Sequence, residues 1–134
     1  MSHWLLKTEP GTYSYDTLEK DGKTVWDGVS NNLALQFIRQ MKKGDLAFIY
    51  HSGDEKQIVG IAEITSNAYP DPKQKDGKLV VFDLKAKSKV KRPVTLAEIK
   101  VDAFFADFHL VRMSRLSVMP VTPAQWEKLS AMAK

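Results

Sequence analysis

The chain holds 134 residues, 43% hydrophobic and 27% charged, which excludes a disordered chain, a collagen-like repeat and a coiled coil. It contains no cysteine, which removes a disulfide framework, a thiolate metal site and a thiol nucleophile. Net charge is +4, and the excess is local: residues 73–92 carry eight Lys/Arg against two Asp, while residues 1–72 carry seven basic against ten acidic side chains. A pI of about 9.2 fits a polyanionic partner.

No window approaches the roughly 20 apolar residues of a membrane span. The apolar run Trp4-Leu5-Leu6 stops at Lys7, too short for a signal peptide. The expectation is one soluble domain over residues 1–134 with no membrane contact. It would be cytoplasmic, or nuclear in a eukaryote. With no long exposed apolar stripe, it would be a monomer.

His3 to Lys7 reads as a short strand that ends at Thr8-Glu9-Pro10-Gly11. Ser14 caps a helical turn through Leu18. Asn31 caps a helix that runs to Lys43, with Gly44 just past it. Val29, Leu33, Phe37 and Met41 recur every four residues, and Ala34 and Ile38 widen that face.

Asp45 to His51 and Gln57 to Thr65 are apolar, β-branched or aromatic runs split by the turn signal Ser52-Gly53-Asp54. Tyr69-Pro70-Asp71-Pro72, running on to Asp76-Gly77, reads as a connection. Lys78 to Lys91 is a longer strand: Val80, Phe82, Leu84, Ala86 and Val90 mark a buried face, and Asp83, Lys85, Lys87, Lys89 and Lys91 a charged one. Pro93 stops it.

Thr95 opens a short helix with capping-box spacing, and Leu110 to Val121 reads as one or two strands. Thr122-Pro123 starts a C-terminal helix with Trp126 and Leu129 facing inward. The sum is an α+β domain on a curled, mostly antiparallel sheet.

Few constellations carry chemistry. His3, His51 and His109 are scattered, and none has the spacing of a zinc helix, so no metal is expected. His51, Ser52 and Asp54 contain the residue types of a nucleophilic triad. However, adjacent strand residues point to opposite faces, and there is no G-x-S-x-G elbow. Trp4, Trp26 and Tyr50 sit beside polar turn residues. That pattern suits three core aromatics whose polar edges are satisfied, and it also suits a cage for an unstacked base. Lys85, Lys87, Lys89 and Lys91, with Arg92, recur about every 6.6 Å on a strand face. Such a ladder either tracks a phosphate backbone or guards an edge strand against aggregation.

The ordered set of short motifs resembles the EVE domain, a branch of the PUA-like superfamily. The matching stretches begin with Trp4-Leu5-Leu6-Lys7-Thr8-Glu9-Pro10, Tyr13-Ser14, Trp26-Asp27-Gly28-Val29 with Asn31, Met41-Lys42-Lys43-Gly44-Asp45 and Tyr50-His51-Ser52. They continue with Val59-Gly60-Ile61-Ala62-Glu63, Ala68-Tyr69-Pro70-Asp71-Pro72, Pro93-Val94-Thr95-Leu96 and Arg115-Leu116-Ser117-Val118-Met119-Pro120-Val121. The resemblance implies a PUA-like curled pseudo-barrel with short helices packed around it. It also implies a non-catalytic reader of a modified cytosine or adenine in DNA or RNA, with no cofactor.

On that reading a base stacks on Trp26, and Trp4 or Tyr50 closes the cage. Ser14, Asn31, His51 and Ser52 bond the base edge. Lys7 and Glu9, with Thr8 and Pro10 beside them, set polarity at the mouth. Arg115 and Ser117 form the rim, and Lys85, Lys87, Lys89, Lys91 and Arg92 follow the backbone. Two positions where the family usually carries Arg hold Ser30 and Leu35 here, which predicts a weaker grip from the helix side. Two alternatives stand beside this reading. One is a small-molecule or protein-binding module that keeps the pocket without nucleic-acid binding. The other is a hydrolase acting through His51, Ser52 and Glu9.

Overall fold

The computed structural model describes residues 1–74 and 77–134. β1 (His3–Thr8) buries Trp4, Leu5 and Leu6. It lies between β3 (Leu46–His51), which runs parallel to it, and β7 (Val118–Val121), which runs antiparallel. β3 turns back into β4 (Gln57–Ile64), and β4 pairs with the 16-residue β6 (Val80–Thr95). β6 in turn pairs with β2 (Lys23–Trp26) and with β5, the pair Tyr69–Pro70. The main path runs β2-β6-β4-β3-β1-β7 and does not close, since β2 ends one side and β7 the other. This is the mostly antiparallel, curled α+β architecture expected, with β1–β3 as its parallel pair. A parallel pair needs a long crossover, and the segment from α1 to α2 supplies it.

Caps fix the helices where the sequence places them. Ser14 Oγ accepts from Thr17 N–H at 3.1 Å and starts α1 (Tyr15–Asp21). Asn31 Oδ1 accepts from Ala34 N–H at 3.0 Å and starts α2 (Asn32–Ile38). Capping boxes at Thr95 and Thr122 start α3 (Leu96–Lys100) and α5 (Pro123–Met132). Leu129 of α5 is fully buried, and Trp126 stacks on Phe48 with ring centroids 4.0 Å apart.

Several elements differ from expectation. α2 ends at Ile38 rather than Lys43: the chain tightens into i→i+3 bonds from Gln40 and Met41, and the Asp45 carboxylate then accepts from Lys42 N–H at 3.0 Å. The buried stripe of α2 is Ala34, Leu35 and Ile38, so Leu35 faces the core, while Leu33 and Phe37 are half-buried. β6 starts at Val80, and Pro93 does not stop it. Between Gly60 and Ile58 of β4 the partner position jumps from Lys89 to Val94, so Pro93 lies in a bulge that asks it for no ladder N–H. Val81 is buried as well as its neighbours, and Ala86 and Val90 are only half-buried. β2 lies where the sequence gives no strand signal, and Tyr69–Pro70, expected to be part of a connection, pairs as β5 with Val80 and Val81 of β6. Leu110 to Val121 holds one strand, preceded by α4 (His109–Arg112). Of the turn read at Asp76-Gly77, Asp76 lies outside the described residues.

Two buried polar nodes tie this frame together. Asp45, 3% exposed, accepts from Trp4 Nε1–H, Ser2 N–H and Lys42 N–H, each at 3.0 Å. Tyr15 is buried on Gly60, with its hydroxyl donating to Ile61 C=O at 2.7 Å and its backbone N–H to His51 Nε2 at 3.0 Å. With Nε2 accepting, His51 carries its proton on Nδ1 and donates to Glu55 Oε1 at 2.9 Å.

Candidate nucleic-acid interface

A cavity of about 660 Å³ opens between the end of β1 and the edge strand β2, within the range of roughly 300–1,000 Å³ usual for ligand sites. One wall comes from Lys7, Thr8 and Glu9 at the end of β1, Thr12 and Tyr13 before α1, and Ser117 just ahead of β7. The other comes from Thr24, Val25 and Trp26 of β2 and the loop 27–31 that leads into α2. Gly28, at φ +78, takes the left-handed conformation that lets this loop turn from strand to helix cap.

Trp26 is 9% exposed and meets Tyr13 edge-on, with centroids 6.2 Å apart and planes at 82°. Tyr13 donates its hydroxyl to Asp21 at 3.0 Å, and burial of its ring raises the phenol above its ordinary value. Thr8 Oγ1 donates to the Tyr13 carbonyl at 2.7 Å and holds that loop against β1.

Lys7 is half-buried. Its ammonium donates to the Ser114 carbonyl at 2.8 Å and lies 5.7 Å from the Tyr50 ring centroid. Burial pushes this amine below the usual lysine value, because the charged form loses solvent. Glu9 accepts from Gly11 N–H at 3.2 Å. Asn31 spends its carbonyl oxygen on the α2 cap, which leaves its amide N–H₂ to face a ligand. The cavity thus offers an aromatic wall, hydroxyl and amide groups, one ammonium and the carboxylates of Glu9 and Asp27.

Of the expected site residues, Lys7, Thr8, Glu9, Trp26, Asn31 and Ser117 converge here. The others lie elsewhere. Trp4 is a core residue, 3% exposed, with its indole N–H bonded to Asp45 and its ring against Phe37, so it does not close a cage. Tyr50 is 2% exposed, behind Lys7 rather than on the wall. Ser14 and His51 are engaged at the start of α1, and both ring nitrogens of His51 already have partners other than Ser52. Ser52 continues the β1–β3 pairing by donating its N–H to Thr8 C=O at 2.9 Å, so the hydrolase dyad is not assembled. Pro10 is not on the cavity wall.

The lysine ladder is partly spent on protein. Lys89 pairs with Asp16 at 2.6 Å and Glu19 at 3.5 Å, which raises its amine, and Arg92 binds Glu98 and the Met132 carbonyl. Arg115 lines a second, smaller cavity. Of the two positions lacking Arg, Ser30 lines the main cavity and Leu35 is in the core.

Sequence reasoning missed Thr12, Tyr13, Thr24, Val25 and Asp27 as wall residues. For Thr24 and Val25 the signal is weak: β2 is four residues long, and Val25 is 45% exposed where a strand apolar residue is expected to be buried. Tyr13 and Asp27 stand inside the motif stretches that carry the family resemblance.

The open mixed sheet flanked by short helices is the PUA-like fold of the EVE domain structures that superpose on it. The EVE domain family model matches residues 2–132, and the chain belongs to that family. It is similar to thymocyte nuclear protein 1 of Gallus gallus, at 34% identity over 159 aligned residues covering 93% of this chain and 66% of that protein. The chain therefore spans about two thirds of that relative's length. A crystal structure of human THYN1 protein in complex with 5-methylcytosine-containing DNA superposes with a TM-score of 0.89 at 30% identity, covering 100% of this chain and 98% of that one. The NMR structure of Rpa0253 from Rhodopseudomonas palustris gives a TM-score of 0.94 at 44% identity, covering 99% and 93%. Among the described residues no helix is long and apolar enough to cross a membrane.

Proposed function

We propose that this chain binds DNA and reads a modified cytosine, held out of the stack in the cavity between β1 and β2. The observation that carries the reading is a buried Trp26 on the wall of a cavity that sets hydrogen-bonding groups beside the apolar side chains of Val25 and Val29. It is supported by the family membership and by the 5-methylcytosine DNA bound to human THYN1 protein.

Stacking of a base on one aromatic face is worth about 1–3 kcal/mol. Glu9 and Asp27 are the acceptors suited to a cytosine N4 amino group, and the Asn31 amide and the Ser117 hydroxyl can donate to its ring acceptors. The half-exposed Val25 offers the apolar contact for a 5-methyl group. The committed partners of His51 favour binding without chemistry.

The test is a calorimetric titration with two duplexes that differ in one 5-methyl group. Burying one methyl contributes about 0.8 kcal/mol, so the methylated duplex binds about fourfold tighter. Equal affinity for both would refute the reader.

A further inference from the structure

We propose that the backbone of the DNA strand is gripped by the second cavity, with Arg112 and Arg115 each contacting a phosphate that flanks the base in the first. The proposal rests on the base-reading function above, and it moves the phosphate contacts away from the lysine ladder.

Three observations make the two cavities one continuous site. Asn31 lines both. Lys7 of the first donates to the Ser114 carbonyl of the second at 2.8 Å. Ser117 of the first follows Leu116 of the second directly in the chain. A strand whose base enters one cavity has the other directly beside it for its sugar-phosphate.

Charge decides what each cavity holds. The first is lined by Lys7 against Glu9 and Asp27, a formal excess of negative charge that repels phosphate. The second, about 380 Å³, carries Arg112 and Arg115 and no acid. Arg115 has no hydrogen bond or ion pair among the described residues. Among the described residues the Arg112 guanidinium reaches only Asp107, at 3.4 Å, and that carboxylate is 93% exposed. Both guanidinium groups can therefore be turned to a phosphate, for which their planar fork suits bidentate contact. Leu33, the buried Leu116 and Met113, 39% exposed, line the same cavity and supply apolar surface suited to a deoxyribose edge. By contrast the ladder's Lys89 is already neutralised by Asp16 and Glu19.

The experiment measures DNA affinity against salt for the full chain, with wild type, Arg112→Gln/Arg115→Gln, Lys87→Gln/Lys91→Gln and Trp26→Phe, on methylated and unmethylated duplexes. Each lost phosphate contact reduces the slope of log K against log salt by about 0.9. The double Arg variant therefore shows a slope shallower by about 1.8, weaker binding to both duplexes, and an unchanged preference for the methylated one. Trp26→Phe shows the converse, a reduced preference at an unchanged slope. An unchanged slope in the Arg variant, or a reduction only in the Lys variant, overturns the phosphate assignment and leaves the base reading intact. A reduced slope in the Arg variant with no methyl preference in any protein overturns the base reading and leaves the assignment standing. No DNA binding by wild type at low salt overturns both.

Discussion

Gly60→Ala tests how Tyr15 holds α1 against the sheet. A methyl at position 60 would sit 2.5 Å from Tyr15 Cε2 and Cζ, far inside ordinary van der Waals contact. The ring cannot retreat easily: it is 1% exposed, its hydroxyl is bonded to Ile61 C=O, and its backbone N–H is bonded to His51. Overpacking of a core costs about 1–3 kcal/mol. Loss of the Tyr15–Ile61 hydrogen bond adds about 0.5–1.5 kcal/mol. The total is about 1.5–4.5 kcal/mol, a large share of the roughly 5–15 kcal/mol that stabilises a domain. The variant should show a lower urea midpoint at an unchanged m value and a melting temperature lower by roughly 5–16 °C. Tyr15→Leu removes the clashing ring, so the cost of Gly60→Ala should shrink in that background, with a coupling of about 1 kcal/mol or more. A Gly60→Ala protein within about 0.5 kcal/mol of wild type would refute the packing argument.

His51→Ala leaves the buried Tyr15 N–H without an acceptor and should cost about 1–3 kcal/mol in urea unfolding; wild-type stability would mean that the side chain serves something other than the α1 terminus. Tyr69 donates to Asp83 at 2.6 Å, which raises its phenol to about 12. The fold favours the neutral phenol, so this contribution is complete below the ordinary value of 10.0 and disappears as pH rises toward about 12. The stability advantage of wild type over Tyr69→Phe should therefore be constant below that value and shrink above it, and a gap that holds across the whole window would show that the bond does not matter.

Much of the frame is legible in the sequence because local rules act there without competition. Ser14, Asn31, Thr95 and Thr122 cap helices by side-chain geometry alone, and β3 and β4 follow from their apolar runs. The failures have tertiary causes. Pro93 is tolerated in a strand because β6 bulges away from β4 there, which no single-strand pattern reveals. β2 forms because β6 offers it an edge, since four residues with one exposed Val carry little signal of their own.

The site divides in the same way. Polar residues beside aromatics mark a functional neighbourhood. Whether a given aromatic faces the cavity or the core depends on partners distant in sequence. Trp26 and Trp4 have similar flanks, yet Asp45, 41 positions from Trp4, takes the indole N–H of Trp4 and fixes it in the core. His51 is drawn the same way, toward the N-terminus of α1. The lysine ladder is exposed as its period-two pattern predicts, but α1 places Asp16 and Glu19 against Lys89.

The most direct measurement is of intermolecular NOEs in the complex of this chain with a duplex carrying one 5-methylcytosine. The account predicts contacts from the base's methyl protons to Trp26 and Val25. Binding that persists with methyl contacts only to residues outside the cavity, or with none, would contradict it.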